Sequence, residues 1–330
     1  MSRQERETIV SEYDGLELSV LNVIPKEGRQ ICGVLQLVHG MCEYKERYLP
    51  FMKYMAKHGY ICVIHDQRGH GGSVNSREDL GYFYGGGAKA VVEDIHQITL
   101  LLRERYPNLP LILFGHSMGS LAVRAFLRKY DHLIDMLIVC GSPSRNRAVI
   151  FGKLIVQIQK MIFGSRHRSR LLETLTFGSY AAKFPKEAHH CSWICTDQLV
   201  VKEYEDSQLC GFTFTVDGYA GLFQLMQETY SKRGWQCTRP DMPILFVGGA
   251  EDPCIGNTRK FAAAVNHIRS RGYENVRGKL YPGLRHEILN EPCKEKIYRD
   301  LAGYIKKQDL SDRMKTSEGV FNCDGKTGIK

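Results

Sequence analysis

The chain alternates short apolar runs with longer segments in which apolar residues recur at helical spacing. Each run has Gly, Asp or Ser at or near its end, which is typical of fully buried parallel strands. These runs lie at 33–40, 60–66, 111–117, 136–143, 243–252 and 276–283. Two intervening segments, 48–59 and 88–107, predict helices. The alternation predicts an α/β fold, with a mostly parallel central sheet flanked by helices.

The alternation stops between 145 and 240, where no buried-strand run occurs. Within this 145–240 segment, "RAVIFGKLIVQIQKMIFGS" predicts one amphipathic helix, with Lys153, Gln157 and Lys160 on its polar face. We therefore expect a helical lid inserted into one core rather than a separate domain. The predicted organisation is a first core part at 1–144, the lid at 145–240, a second core part at 241–307 and a polar tail at 308–330.

Composition narrows the class of protein. The 330 residues are 43% hydrophobic and 25% charged, which suits a globular chain with a sizeable core. No run of about 20 uncharged apolar residues predicts a transmembrane helix, and the first residues lack the apolar core of a signal peptide. The 11 cysteines show no CxxC spacing. We therefore expect reduced thiols, a cytoplasmic location, and neither a metal nor another cofactor.

The net charge of +9 raises the question of an anionic partner. From 145 to 170 the chain carries 7 Lys or Arg and no Asp or Glu. This segment is also strongly apolar, and it lacks the interleaved aromatic residues of a surface for single-stranded nucleic acid. It therefore predicts peripheral contact with an anionic membrane surface, and no nucleic-acid partner. A His and Cys grouping at 189–195 predicts packing rather than a zinc site.

The first candidate catalytic motif is Gly115-His116-Ser117-Met118-Gly119, where the third predicted strand ends. The G-x-S-x-G pattern predicts a sharp, strained turn from strand to helix, which lifts a serine hydroxyl out of the sheet. The glycines permit the close packing of such a turn. The serine also lies at a helix N-terminus, where a developing anion is favoured. Ser117 is therefore the predicted nucleophile.

A serine nucleophile needs a general base and an acid that orients the base. His286 follows the last predicted strand, and Asp252 follows the strand before it. The chain order Ser117, Asp252, His286 is the nucleophile–acid–base order of α/β-hydrolases. Glu251 is an alternative acid. Asp252 is preferred because it is the shorter carboxylate and precedes Pro253.

Acyl-transfer chemistry also needs two N–H groups that stabilise an oxyanion. His39 and Gly40 end the first predicted strand, so the N–H of Met41 is the expected first donor. The N–H of Met118, directly after the nucleophile, is the expected second donor. Cys42 lies next to Met41, and Cys254 lies near Asp252; both are expected to be inert small side chains.

Four motifs, "HGMCEYKERY", "HDQRGHGGS", "GHSMGS" and "RHEILNE", resemble the monoacylglycerol lipase and lysophospholipase branch of the α/β-hydrolases, the serine-aminopeptidase-type family. The likeness extends over most of 10–305. It implies an α/β-hydrolase fold with an inserted lid, and the triad and oxyanion groups named above. It also implies that Glu43 and Arg47 form a charged pair after the oxyanion loop. The likeness further implies that Asp66, Arg68 and His70 form a turn that supports the site without contacting substrate.

The resulting prediction is a serine carboxylic-ester hydrolase that cleaves monoacylglycerols or lysophospholipids through an acyl-enzyme intermediate. Apolar residues in 148–163 predict an entrance for medium or long acyl chains, with packing of that face on the core as the alternative. Peripheral membrane contact is predicted through 145–170. Two alternatives stay open: a peptidase or amidase of the same fold, and a ligand-binding relative without turnover.

Overall fold

The computed structural model describes residues 2–308 and Leu310, and its centre is one sheet. The strands are β1 (Arg3–Val10), β2 (Glu17–Ile24), β3 (Gly33–Val38), β4 (Tyr60–His65), β5 (Leu111–His116), β6 (Met136–Cys140), β7 (Ile244–Gly249) and β8 (Val276–Tyr281). Their order across the sheet is β1-β2-β4-β3-β5-β6-β7-β8. The strands from β3 to β8 coincide with the six predicted runs and pair in parallel. The predicted α/β fold is therefore confirmed.

Two strands lie outside the predicted runs. β1 and β2 form an antiparallel pair, and β2 also pairs antiparallel with β4. β1 carries charged, exposed residues because it is the sheet's edge, so it contains no apolar run. The opposite edge corrects one prediction. β8 is not fully buried, because Arg277 and Lys279 are exposed and only Val276 and Tyr281 are buried.

Helices cover both faces of the sheet. They are α1 (Leu49–Lys57), α2 (Gly87–Arg105), α3 (Met118–Tyr130), α4 (Val149–Phe163), α5 (Arg170–Ala181), α6 (Gln198–Asp206), α7 (Val216–Thr229), α8 (Thr258–Arg269) and α9 (Lys294–Lys307). Phe51 of α1 and Leu301 of α9 belong to the core on one face. Ile95 of α2, Leu121 of α3 and Phe261 of α8 belong to the core on the other. Burial on both faces explains the continuous apolar runs of the central strands.

The segment between β6 and β7 contains α4, α5, α6 and α7. The helix predicted at 147–165 is α4. Its apolar face does not pack on the core along most of its length: Val149 and Val156 are buried, whereas Phe151 and Met161 are 71% and 79% exposed. Among the described residues, no helix is both long enough and apolar enough to cross a membrane. The predicted tail at 308–330 lies outside the described residues, apart from Gln308 and Leu310.

The parallel strands bring distant parts of the chain to one edge of the sheet. His39 follows β3, and Ser117 follows β5. Asp252 lies just after β7, and His286 lies just after β8. Because parallel strands end on the same side, these four residues gather at the carboxyl edge, where α/β proteins usually place their ligands.

Candidate active site

Ser117 occupies the turn between β5 and α3. Its backbone angles are φ 53° and ψ −118°, a left-handed conformation that is unusual for a residue with a side chain. Such strain often accompanies a functional position. The turn is also tightly packed: a Cβ at Gly119 would lie 2.2 Å from the carbonyl oxygen of Val38. The N–H of Ser117 donates to the carbonyl of Cys140 at 3.0 Å, which ties the turn to β6.

His286 and Asp252 form a buried hydrogen-bonded pair. Nδ1 of His286 donates to Oδ2 of Asp252 at 2.8 Å, and the two residues are 3% and 2% exposed. The other Asp252 oxygen accepts from the N–H of Cys254 at 2.8 Å. Burial lowers the pKa of His286, but the charge and hydrogen bond of Asp252 outweigh it and raise that pKa above its ordinary value. Glu251, the alternative acid, is exposed.

The expected oxyanion loop lies directly against the serine turn. A Cβ at Gly40 would lie 3.1 Å from Cβ of Ser117 and 2.5 Å from Oε1 of Glu43, so no side chain fits there. Met118 is the first residue of α3, and an N–H in the first turn of a helix has no partner within the helix. Met41 and Ser117 line the same cavities.

The side chain of His39 and the backbone of Gln67 hold this loop through hydrogen bonds. The N–H of Gln67 donates to Nε2 of His39 at 2.9 Å, which leaves Nδ1 of His39 as the protonated nitrogen. That nitrogen donates to the carbonyl of Gly40 at 2.7 Å. The conformation of Gly40, and with it the direction of the next N–H, is therefore set by a buried hydrogen-bond chain.

Glu43 is the centre of a second buried network. Its Oε1 accepts from the N–H of Gly40 at 2.6 Å and from the hydroxyl of Tyr48 at 2.9 Å, and it lies 3.2 Å from Nδ1 of His116. Arg47 donates to Oε2 at 2.9 Å, the charged pair that the family resemblance implies. Burial alone would raise the pKa of Glu43, but the His116 hydrogen bond and the Arg47 charge hold it well below its ordinary value.

One strong contact in this network has no signal in the sequence. Arg47 also makes two hydrogen bonds to Glu287, at 2.7 and 2.6 Å, and so joins the oxyanion loop to the residue beside His286. Nε2 of His116 lies 3.3 Å from the carbonyl oxygen of His286, which gives a second link between the two loops. No sequence pattern pairs residues that lie so far apart in the chain.

The "D-x-R-G-H-G" turn has the bracing contacts that the resemblance implies. Asp66 accepts from the backbone N–H and the ammonium of Lys45, at 2.8 and 2.6 Å. Arg68 is fully buried and pairs with Asp94 at 2.8 Å. His70 packs among aromatic rings, with its centroid 5.3 Å from that of Phe214.

The thiols of Cys42 and Cys254 lie near the site and are buried. Burial raises the pKa of Cys42 and of Cys254 well above the ordinary value. The ligand atoms of Asp252, Cys254 and His286 lie within 4.8 Å of one another, a spacing that suits a metal ion. To bind a metal ion, however, a cysteine must be a thiolate and a histidine must have a free ring nitrogen. The Asp252–His286 hydrogen bond and the raised thiol pKa favour an acid–base pair instead.

Two chambers meet at Ser117. The first, which we call the polar chamber after its carboxylate and histidine side chains, encloses about 740 Å³ including its open mouth and is lined by Ser117, His286, Glu173, Trp193, Tyr204 and Tyr219, among others. The second, the apolar chamber, encloses about 980 Å³ including its mouth and is lined by Ser117, Leu121, Val149, Ile155, Phe223 and Met226, among others. Among the residues that the structure describes, no Asp, Glu, His, Lys or Arg lines the apolar chamber.

Several lining residues come from the 145–240 segment, and sequence reasoning assigned them no role. Trp193 lies with its ring centroid 5.2 Å from that of His286. Glu173 belongs to α5 and Tyr219 to α7. Their positions depend on how these helices pack over the sheet, and no local pattern carries that information.

Comparisons with known proteins agree with this architecture. The chain is 26% identical over 279 residues to a monoacylglycerol lipase of Mycolicibacterium smegmatis, with 83% of this chain and 88% of the relative covered. The fold resembles a carboxyl esterase from Bacillus coagulans in complex with glycerol, with a TM-score of 0.83, 22% identity, and 93% and 99% of the two chains covered.

A soluble variant of monoglyceride lipase from Saccharomyces cerevisiae, in complex with a substrate analogue, gives a TM-score of 0.70. Its identity is 18%, with 93% of this chain and 95% of that chain covered. The model of the family described as serine aminopeptidase, S33 matches residues 29–293. Because this match covers most of the chain, the protein belongs to the serine aminopeptidase S33 family of α/β-hydrolases.

Proposed function

We propose that this protein is a serine hydrolase that cleaves the carboxylic esters of monoacylglycerols through an acyl-enzyme intermediate. One observation carries the proposal. Ser117 lies on a strained turn in a chamber that it shares with His286, and Nδ1 of His286 is hydrogen-bonded to Asp252. A serine beside an oriented imidazole is the usual arrangement for nucleophilic acyl transfer.

In the first half-reaction, the hydroxyl oxygen of Ser117 attacks the ester carbonyl carbon, and its proton moves to Nε2 of His286. Negative charge develops on the carbonyl oxygen, which accepts hydrogen bonds from the N–H groups of Met41 and Met118. Asp252 stabilises the imidazolium that forms. The tetrahedral intermediate then expels the alcohol, which takes the proton from His286 and leaves Ser117 acylated.

In the second half-reaction, His286 removes a proton from water while the water oxygen attacks the acyl carbon. The same two N–H groups stabilise the second oxyanion. The bond to Ser117 then breaks, the proton returns from His286 to the serine oxygen, and the fatty acid is released. These steps need only the residues named here and one water molecule.

The apolar chamber supports a long acyl chain as the part of the substrate bound there. Its walls carry aliphatic and aromatic side chains such as Leu121, Ile155 and Phe223. Burial of each methylene group contributes about 0.8 kcal/mol, so affinity increases with chain length until the chamber is filled. The monoacylglycerol lipase name of the M. smegmatis relative supports a glycerol ester as the substrate. A lysophospholipid is the second substrate class within this proposal.

The 145–240 segment acts as a lid in this proposal, and α4 is its contact with a lipid surface. Leu154, Ile158, Met161, Ile162 and Phe163 of α4 are all well exposed. Basic side chains flank them, including Lys153 and Lys160 on the same helix. An exposed apolar face bordered by cations is the usual form of an interfacial helix. Of the other cations in 145–170, Arg166 is paired with Asp79.

The proposal is tested with Ser117→Ala and p-nitrophenyl decanoate. The expected result is a loss of at least about 10⁴-fold in kcat/KM with an unchanged circular dichroism spectrum. Ser179→Ala, on the exposed face of α5, is the matched control and should keep full activity. Labelling by a fluorophosphonate probe should disappear in Ser117→Ala alone. Retained hydrolysis or labelling in that variant would assign the chemistry to another group.

A chain-length series identifies the bond and the acyl group. Monoacylglycerols from C4 to C12 should show kcat/KM increasing about fourfold per methylene, which corresponds to about 0.8 kcal/mol. Aminoacyl amides should be cleaved poorly in the same assay. Preferred cleavage of the amides would support the peptidase alternative, and a flat chain-length profile would contradict acyl binding in the apolar chamber.

A further inference from the structure

The two chambers differ in which catalytic group they expose. His286 lines the polar chamber and is absent from the described lining of the apolar chamber. In ester cleavage the protonated histidine gives its proton to the departing alcohol oxygen. The alcohol must therefore leave on the side that His286 faces, while the acyl chain lies on the apolar side. This assignment rests on the proposed function.

A buried hydroxyl without a partner lines the polar chamber. Tyr219 is fully buried, and its hydroxyl makes no hydrogen bond to any of the described residues. Phe214 and Phe223 pack around its ring, with centroid distances of 5.8 and 6.1 Å. Burial raises the pKa of Tyr219, so the hydroxyl keeps its proton and can donate it. An unpaired buried hydroxyl costs free energy, and a ligand oxygen would remove that cost.

Apart from three histidines, the charged side chains that line the polar chamber are carboxylates. Its described lining includes Glu43, Glu173 and Glu287 but no Lys or Arg. Glu43 and Glu287 share the guanidinium of Arg47, which offsets part of their charge. Glu173 has no cation within salt-bridge distance among the described residues, and its Oε2 accepts a hydrogen bond from the hydroxyl of Thr213 at 2.9 Å.

The guanidinium of Arg168, which lies near Thr213, hydrogen-bonds to backbone carbonyls. It donates to the carbonyls of Thr213 and Glu78. A phosphate in the polar chamber would therefore face the Glu173 carboxylate with no Lys or Arg in the described lining to offset the repulsion. A hydroxyl group, in contrast, can accept a hydrogen bond from Tyr219 and donate one to Glu173.

We propose that the polar chamber binds the leaving group of the ester, and that Tyr219 and Glu173 select an uncharged polyhydroxy alcohol over a phosphate-bearing one. Tyr219 provides the favourable contact, and Glu173 provides both an acceptor and the repulsive element. Specificity commonly combines attraction to one ligand with repulsion of another. Monoacylglycerols, rather than lysophospholipids with an anionic headgroup, are then the substrates of this site.

The test compares three esters of one acyl chain: 1-decanoylglycerol, 1-decanoylglycerol 3-phosphate and p-nitrophenyl decanoate. The native protein should have a kcat/KM at least about tenfold higher for the glycerol ester than for its phosphate. Glu173→Gln should reduce this ratio about tenfold, because it removes the charge and keeps the size. Tyr219→Phe should lower kcat/KM for the glycerol ester relative to the p-nitrophenyl ester by about three- to tenfold.

Matched controls separate selection from general damage. Glu203→Gln removes an exposed carboxylate on α6, outside the polar chamber. Tyr304→Phe removes another buried hydroxyl, on α9, that has no hydrogen-bond partner in the described part of the chain. Both should leave the two ratios unchanged. A folding defect lowers the rates for all esters together, so it does not change the ratio of kcat/KM between two esters.

Two outcomes would overturn the inference in different ways. Equal kcat/KM for the two glycerol esters, or ratios that neither Glu173→Gln nor Tyr219→Phe changes, would refute the selection while leaving the hydrolase intact. Failure of the native protein to hydrolyse any of the three esters would refute the proposed function, and the selection would fall with it.

Discussion

The guanidinium of Arg47 lies 2.6 Å from the carboxylate of Glu287, although the two residues are 240 positions apart in the chain. Arg47 also reaches Glu43, whose other oxygen holds the N–H of Gly40. One buried cation therefore joins the loop of the expected oxyanion donor to the loop of the expected base. Its contacts set the distance between two parts of the site that the sheet alone does not connect.

Loss of this cation should destabilise the protein strongly. Arg47→Leu leaves the carboxylates of Glu43 and Glu287 buried without a counter-charge, since these side chains are only 4% and 6% exposed. Removal of one partner from a buried ion pair typically costs about 3–5 kcal/mol. Urea unfolding should show a loss of that size in the free energy of unfolding.

The exposed pair of Arg105 and Glu7 provides the comparison. It is also bidentate, with both distances 2.8 Å, but its side chains are 43% and 27% exposed. Arg105→Leu should therefore cost no more than about 1 kcal/mol. Equal losses for the two arginine variants would show that burial does not make the Arg47 contacts special.

Activity should depend on the protonation of His286. Its pKa lies above the ordinary value of 6.5 because Asp252 stabilises the protonated ring more than burial destabilises it. Only the neutral ring accepts the serine proton, so kcat/KM should fall as the pH is lowered through a value above 6.5. A profile of kcat/KM for p-nitrophenyl decanoate from pH 5 to pH 9 measures this pKa.

Removal of the Asp252 charge should change that profile in a defined direction. Asp252→Asn should shift the kinetic pKa downwards and lower the rate by about 10⁴-fold, as loss of the orienting acid does in other triads. Glu251→Gln, at the exposed neighbouring carboxylate, should leave both the rate and the pKa unchanged. An unaltered profile in the Asp252 variant would exclude it as the orienting acid.

The oxyanion loop should tolerate no side chain at Gly40. The added methyl group of Gly40→Ala would lie 2.5 Å from Oε1 of Glu43 and 3.1 Å from Cβ of Ser117, so the loop must shift. Loss of one oxyanion donor typically lowers kcat by about 10²–10³-fold, and we expect a decrease of this order. Gly303→Ala, in α9 with open space around it, is the control and should leave kcat unchanged.

Membrane contact through α4 should be sensitive to a charge on its exposed apolar face. Met161 is 79% exposed and does not line the apolar chamber, so Met161→Glu should weaken partitioning to phosphatidylglycerol vesicles without blocking the site. Leu199→Glu places the same charge at a residue of α6 that is 73% exposed. Equal vesicle binding by the native protein and both variants would remove α4 as the membrane contact.

The apolar runs were sufficient to predict the six parallel strands, because a strand buried on both faces must be apolar throughout. The same argument could not find β1, whose charged side chains remain exposed at the sheet edge. It also overstated the burial of β8, since an edge strand needs less apolar surface than a central one. Local patterns describe the core well and the edges poorly.

The sequence by itself determined the identity and order of the candidate catalytic groups. A serine between glycines, an acid and a histidine after successive strands, and the motif after the first strand are all local features. Strand parallelism then brings Ser117, Asp252 and His286 to one edge of the sheet, so their proximity follows from the fold class alone.

Only the tertiary structure decided what surrounds those groups. The contact between Arg47 and Glu287, and the positions of the Tyr219 hydroxyl and the Glu173 carboxylate in the polar chamber, all depend on how loops and lid helices pack. Such contacts join residues that are remote in the chain, and their free energies depend on burial and geometry that no local pattern contains. The chemistry is thus encoded locally, whereas selectivity is a property of the packed molecule.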